Sequence, residues 1–305
     1  MSDLRRADTE AAGDKGPGSR SHSRLDGATG KALGYHIQNA AANASVAELR
    51  SGLESGGNPR CRSNVGGALP LHLACGAREV NNRGFFSSAS IQRPAQDNEE
   101  RVECVDILLA AGARLEERDQ SGQSALHWAA KMGLGRVCQA LIAKGADVEA
   151  KDARGATPLM HACERHDGYR DGGVEDVLLA AGARVAEQDN RGETAMHKAV
   201  GNPGAIGRLA KAGALVDAQD KAGRTPMCPA VATNRATSVG LLLAHGANPC
   251  VRDAQGRLPS QLGSGGGAAW RLARAAEEAA GIEEHLVVFK SGDGKGLGKA
   301  PKPRL

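Results

Sequence analysis

The chain has 305 residues, of which 41 are glycine and only seven are aromatic (two Trp, two Tyr, three Phe). So few rings exclude one large aromatic-centred core, and 41 % hydrophobic residues exclude a chain disordered throughout. Net charge is +4, and the last twenty residues supply all of it through Lys290, Lys295, Lys299, Lys302 and Arg304 against Asp293. The balanced remainder gives no general case for nucleic acid or a membrane surface as partner.

No apolar run of signal-peptide length follows Met1, and no stretch of about 18 apolar residues occurs anywhere, so a soluble cytoplasmic protein is expected, with the nucleus open to it. Seven cysteines without a CxxC pair fit a reducing compartment. Residues 1–33 read as a disordered tail. A degenerate helical unit at 36–53, closing at Gly56-Gly57-Asn58-Pro59, reads as an N-terminal cap. The next unit opens with Leu69-Pro70-Leu71-His72, and its second helix arrives only at 101–109. His72 to Val105 spans 33 residues where the equivalent step from His127 to Cys138 spans 11, which marks an insertion of about 22 residues at 78–100 carrying Phe85 and Phe86.

From there a period governs the chain. Gly-Ala pairs close helical runs at Gly112, Gly145, Gly182, Gly213 and Gly246, spaced 33, 37, 31 and 33 residues apart. Each is followed by an Asp-x-x-Gly turn beginning at Asp119, Asp152, Asp189, Asp220 or Asp253. Helix starts come next. Thr157 and Thr225 are placed to cap, with Pro158 and Pro226 at the first helical position, where no N–H is needed. Ser124-Ala125 and Thr194-Ala195 lack that proline and should be less pre-set. The fourth unit has a longer inter-helix loop at 167–173, and the fifth, with Gly201-Asn202-Pro203-Gly204 at its join and a period short by two, should be the weakest link. The last unit dissolves into a glycine run at 263–267. An Ala-rich stretch follows, expected as a capping helix within 266–285 with Trp270, Ala273, Ala276 and Ala280 on one face, and a flexible basic tail at 286–305.

One such helix pair has too few large apolar groups to bury its own faces, so stacking on neighbours must supply the burial. At these residues the chain resembles the ankyrin-repeat family, whose units read Asp-x-x-Gly-x-Thr-Pro-Leu-His-x-Ala-Ala and then Val-x-x-Leu-Leu-x-x-Gly-Ala. The resemblance covers about 34–265. It implies an all-α solenoid of about seven helix-turn-helix units with projecting β-hairpin turns, in which His72, His127 and His197 bond within the turn and first helix. It also implies a non-catalytic scaffold or adaptor, a monomer that binds a protein partner through hairpin tips and the concave face of the first helices.

Carried over by position, that face presents Trp128, Lys131, Met132, Arg165 and Lys198 from first helices and Arg154, Arg191, Arg224 and Arg257 from tips. Trp128 reads equally as an anchor or as packing on the next unit. The four arginines could form a stripe for an acidic partner. On that reading, changing Arg191, Arg224 and Arg257 together to Glu should weaken binding and leave melting nearly unchanged. Phe85 and Phe86 either fold back on the stack or dock a partner.

Other constellations carry less. His161-x-Cys163-x-x-His166 looks metal-like, yet His161 and Cys163 lie on different helix faces, so packing is the stronger reading and no metal is expected. The segment from Gly292 to Ala300 lacks both the first glycine and the Ser/Thr of a phosphate loop, and no catalytic triad recurs, so neither cofactor nor enzyme activity is expected. The Gly/Lys tail admits an alternative, an RNA- or helicase-associated factor, through a partial likeness to a G-patch.

Overall fold

The computed structural model describes residues 27–64, 66–76, 96–164, 173–263 and 265–280. Within them seven helical pairs stack in chain order. The pairs are α1 (Gly27–Ala42) with α2 (Val46–Glu54), α3 (Pro70–Ala74) with α4 (Gln96–Ala110), α5 (Ala125–Met132) with α6 (Gly135–Ala143), and α7 (Pro158–Cys163) with α8 (Val174–Ala180). The fifth pairs α9 (Ala195–Lys198), continued by a 3-10 turn over Ala199–Gly201, with α10 (Pro203–Lys211). Then come α11 (Met227–Ala232) with α12 (Ala236–Ala244), and a 3-10 helix over Pro259–Leu262 with α13 (Ala268–Ala279). First helices touch first helices of the next unit, and second helices touch second helices, along the whole stack.

The core is a ribbon rather than a ball. Leu108, Leu126, Leu141, Leu159, Leu178, Met196, Leu209, Met227 and Leu242 are each almost wholly buried between layers, with alanines and cysteines filling the close contacts. This arrangement explains the scarcity of rings: short helices, most of nine residues or fewer, approach too closely for aromatic side chains at every contact. Each second helix stops at its Gly-Ala pair. At Gly112 the left-handed backbone (φ +96°) lets Ala113 N–H reach Leu108 O at 2.9 Å.

Several expectations need correction. α1 already begins at Gly27, so part of the segment read as a tail is helical. The projecting turns hold no strand among the described residues; each is closed instead by two backbone bonds, such as Asp152 N–H to Ala156 O at 3.0 Å and Gly155 N–H to Asp152 O at 2.9 Å. Thr157 does cap α7, accepting from Met160 N–H, with Pro158 as first helical residue. α11, however, starts at Met227, one residue later than Thr225-Pro226 implied. The presumed capping helix is the second helix of the seventh unit. Its buried face is Ala269, Ala273 and Glu277 with Trp270 half-buried beside it, while Ala280 is exposed. The shift follows from Glu277, whose carboxylate accepts from Ser260 N–H (3.1 Å) and Oγ–H (2.7 Å) and so fixes the rotation of α13.

The fifth unit has lost helix as expected, but its join is bonded. Asn202 Oδ1 accepts from Ala205 N–H at 3.2 Å, capping α10, and Asn202 Nδ2 donates to the buried Glu175 at 3.2 Å.

Candidate binding face

Each turn is organised by its aspartate. Oδ1 of Asp152 accepts from the N–H groups of Arg154 (2.8 Å) and Ala156 (2.9 Å), and Asp119, Asp189, Asp220 and Asp253 repeat the pattern two and four residues on. The other oxygen takes a side-chain donor. In the third, fourth and fifth units that donor lies nine residues on: Trp128 Nε1 at 3.0 Å, His161 Nε2 at 3.0 Å and Lys198 Nζ at 2.9 Å. In the sixth the equivalent residue is Pro229, which has no donor, and Arg224 folds back onto Asp220 at 2.8 Å; Arg257 does the same for Asp253. Burial pushes the Asp152 carboxyl up, but the bonds from His161 and from the Ala156 and Arg154 amides hold it below the usual aspartate range, and Asp189 and Asp220 are balanced the same way.

Histidine ties the turns to the helices. His127 Nδ1 accepts from Ser124 N–H (3.1 Å), closing the start of α5, and its Nε2–H donates to Ala156 O (3.1 Å) in the next turn. His72 bridges Leu69 to Gln123 and His197 bridges Thr194 to Arg224 in the same way. Burial lowers the pKa of all three, that of His127 to about 4, so they are neutral at pH 7. The two helix starts lacking proline are thus fixed by histidine.

Successive tips are joined directly. Ala153 N–H donates to Ser121 O, Asn190 to Arg154 O, Lys221 to Arg191 O and Ala254 to Ala222 O, at 2.8–3.0 Å. Glycine is required where they meet: Gly192 has φ +78°, and a Cβ there would stand 2.8 Å from Lys221 N. A side-chain ladder runs along one flank, from Arg62 to Arg118 O, Arg118 to Lys151 O, Lys151 to Gln188 O, Gln188 to Gln219 O and Gln219 to Arg252 O. The sequence reading missed this ladder, although a long polar residue directly before each turn aspartate was its visible signal.

Comparison with known proteins agrees with this geometry. The family described as ankyrin repeats (3 copies) matches residues 94–172. Mouse inversin is 37 % identical over 98 residues, 32 % of this chain and 9 % of inversin. The mouse B-cell lymphoma 3 protein homolog is 34 % identical over 98 residues, covering 32 % of this chain and 21 % of its own length. The chain therefore matches only a minor part of these relatives. The ankyrin repeat domain of human ASB11 superposes with a TM-score of 0.63 at 22 % identity, over 79 % of this chain and 97 % of that one. This is an ankyrin-repeat protein.

The ankyrin array places the sequence-selected residues unequally. Arg154 and Arg191 are exposed on adjacent tips, and Lys131 is exposed on α5. Met132 is half-buried over Gly76, where a Cβ would meet its Cγ at 2.4 Å. Trp128 is half-buried, its indole N–H spent on Asp119 and its ring 6.1 Å from that of His72. Lys198 is half-buried between Asp189 and Glu193. The four arginines do not form one stripe, because Arg224 and Arg257 sit two positions later in the turn than Arg154 and Arg191 and pair closely with its aspartate, at 2.7 and 2.8 Å, where Arg154 stands 3.7 Å from Asp152. Reversing their charge would set Glu beside Asp, so the triple exchange expected to spare melting must instead loosen two turns. Arg165, Phe85 and Phe86 lie outside the described residues.

Of the metal-like trio, His161 Nε2 is engaged by Asp152 and Cys163 is fully buried, its thiol pushed well up by desolvation; His166 lies outside the described residues. Among the described residues no group of three ligands converges.

Proposed function

We propose that this chain is a non-catalytic scaffold or adaptor, acting as a monomer, which binds a protein partner across the turn tips and the first-helix face of its ankyrin array. One observation carries the reading: the tips form a continuous ledge, bonded tip to tip, with every turn aspartate directed inward and the two residues after it directed outward. Such a surface is ordered before binding, so little conformational entropy is lost on association. The turn aspartates and the recurring histidines along it are consumed by structural bonds, which supports a binding rather than a catalytic role. An acidic partner fits the cations left on it. The mouse RelA-associated inhibitor, 32 % identical over 140 residues (41 % of this chain, 16 % of that protein), is named for an inhibitor's association with another protein, which favours the same class of function. No helix among the described residues is long and apolar enough to cross a membrane.

The test is capture from a cell extract by the full chain, compared with Lys131→Glu on the first-helix face, Arg191→Glu on a tip and Glu100→Lys on the exposed surface of α4 as control. Captured proteins should be lost with the first two exchanges and kept with the third. Equal capture by all four proteins would overturn the reading.

A further inference from the structure

We infer that the tips of the fourth to sixth units hold an acidic segment of the partner in polyproline II conformation, with carboxylates at every third residue. This rests on the protein-binding reading above and gives the chemistry of its ligand. Arg154, Arg191 and Lys221 are contiguous, since Asn190 N–H bonds Arg154 O at 2.8 Å and Lys221 N–H bonds Arg191 O at 3.0 Å. Their charge is compensated only in part. Arg154 has 64 % of its side chain exposed, and the nearest carboxylate oxygen, Asp152 Oδ2 at 3.7 Å, already accepts from His161. The Arg191 guanidinium makes no ion pair among the described residues, and Lys221 spends one donor on Asn190 O at 2.8 Å. The acids nearby are turned away: Asp152, Asp189 and Asp220 are buried, and Glu193 is held by Lys198 and Arg224.

The neighbouring tips bound the footprint, because Gln120 and Ser121 on one side and Ala254 and Gln255 on the other are uncharged. Stacked helical units repeat about every 8–10 Å. A polyproline II chain returns the same face every third residue, about 9 Å on. A β-strand instead returns the same face every second residue, about 7 Å on, and falls out of step. One carboxylate per unit, two of the three meeting a guanidinium that can bind both oxygens, is therefore met by acidic residues at i, i+3 and i+6. Three cations make a short row for a phosphate backbone. The stacking rings that single-stranded nucleic acid uses are absent from these tips, Trp128 and Trp270 being half-buried on helices.

The experiment uses the full chain and three labelled decapeptides on a proline-rich background: Glu at i, i+3 and i+6, the same composition with Glu at i, i+2 and i+4, and the Gln counterpart of the first. A ten-nucleotide RNA serves as a fourth probe. The first peptide should bind about tenfold more tightly than its Gln counterpart and more tightly than the re-spaced isomer. Arg154→Glu, Arg191→Glu and Lys221→Glu together should abolish that advantage, and Arg191→Gln alone should reduce it without changing the melting temperature. Equal binding of both spacings, indifference to these exchanges, or RNA binding tighter than the peptide and lost in the triple variant would each overturn the inference. If capture of a partner from extract is lost on Lys131→Glu yet untouched by the tip variants, the scaffold reading stands and this assignment falls.

Discussion

At the scale of single residues the array depends on neutral, buried imidazoles. His127 in the folded chain has its pKa lowered from 6.5 to about 4, with burial the main cause and the nearby His161 a further one; Asp152 and the Ala156 carbonyl oppose both. His72, His161 and His197 are lowered as well, burial again leading. The sign follows from linkage. A depressed folded pKa means that the unfolded chain binds protons first, so the stabilisation is whole above pH 6.5 and is lost as pH falls towards 4. The turn carboxylates, also held low, lose their contribution only at still more acid pH. The urea midpoint should therefore drop between pH 7 and pH 5, and a His127→Gln variant should show a shallower drop. A midpoint constant over that range would show that these imidazoles are not the neutral bridges described. The sequence revealed the recurrence of His72, His127 and His197 but not the distant carbonyl each one meets, because that partner belongs to the next unit.

At the scale of elements, glycine plays opposite parts in turn and helix. Gly192 needs a left-handed backbone and lies against the Lys221 amide, so Gly192→Ala should cost about 1–2 kcal/mol from the backbone alone, and more from the clash. Gly207 lies inside α10 with nothing within 4 Å of an added Cβ, so Gly207→Ala should stabilise by about 0.5–1 kcal/mol. Chemical denaturation of the two variants checks both signs. Most helix starts were legible because Thr, Pro and Gly act locally. The rotation of α13 was not, since beyond the glycine run at 263–267 no repeat sets the register and the buried Glu277–Ser260 bonds do. The candidate binding face was legible to the level of which residues occupy the tips. That Arg224 folds onto Asp220 depends on a missing donor elsewhere in the unit: Pro229 occupies the slot filled by Trp128, His161 and Lys198 in earlier units.

At the scale of the whole molecule, the main contacts of each unit among the described residues are with its neighbours, and stability is a sum of units and the interfaces between them. Damage in one layer should then spread along the stack by distance rather than everywhere at once. Leu242 is wholly buried on α12, and Leu242→Ala should cost about 2–5 kcal/mol by opening a cavity between the fifth-to-seventh layers. If stacking is the organising interaction, amide hydrogen exchange should accelerate most in α11, α12 and α13, less in α10, and least in α1 to α4. Uniform acceleration along the chain would instead mean that the seven pairs open as one cooperative block, with local strength spread evenly across their interfaces. The same measurement grades the fifth unit. Its α9 is a single helical turn, yet Asn202 ties α10 to Glu175 of the preceding unit. Exchange across 195–211 slower than in α11 to α13 of the variant would show that this shortened join still stops the opening from crossing into the first four units.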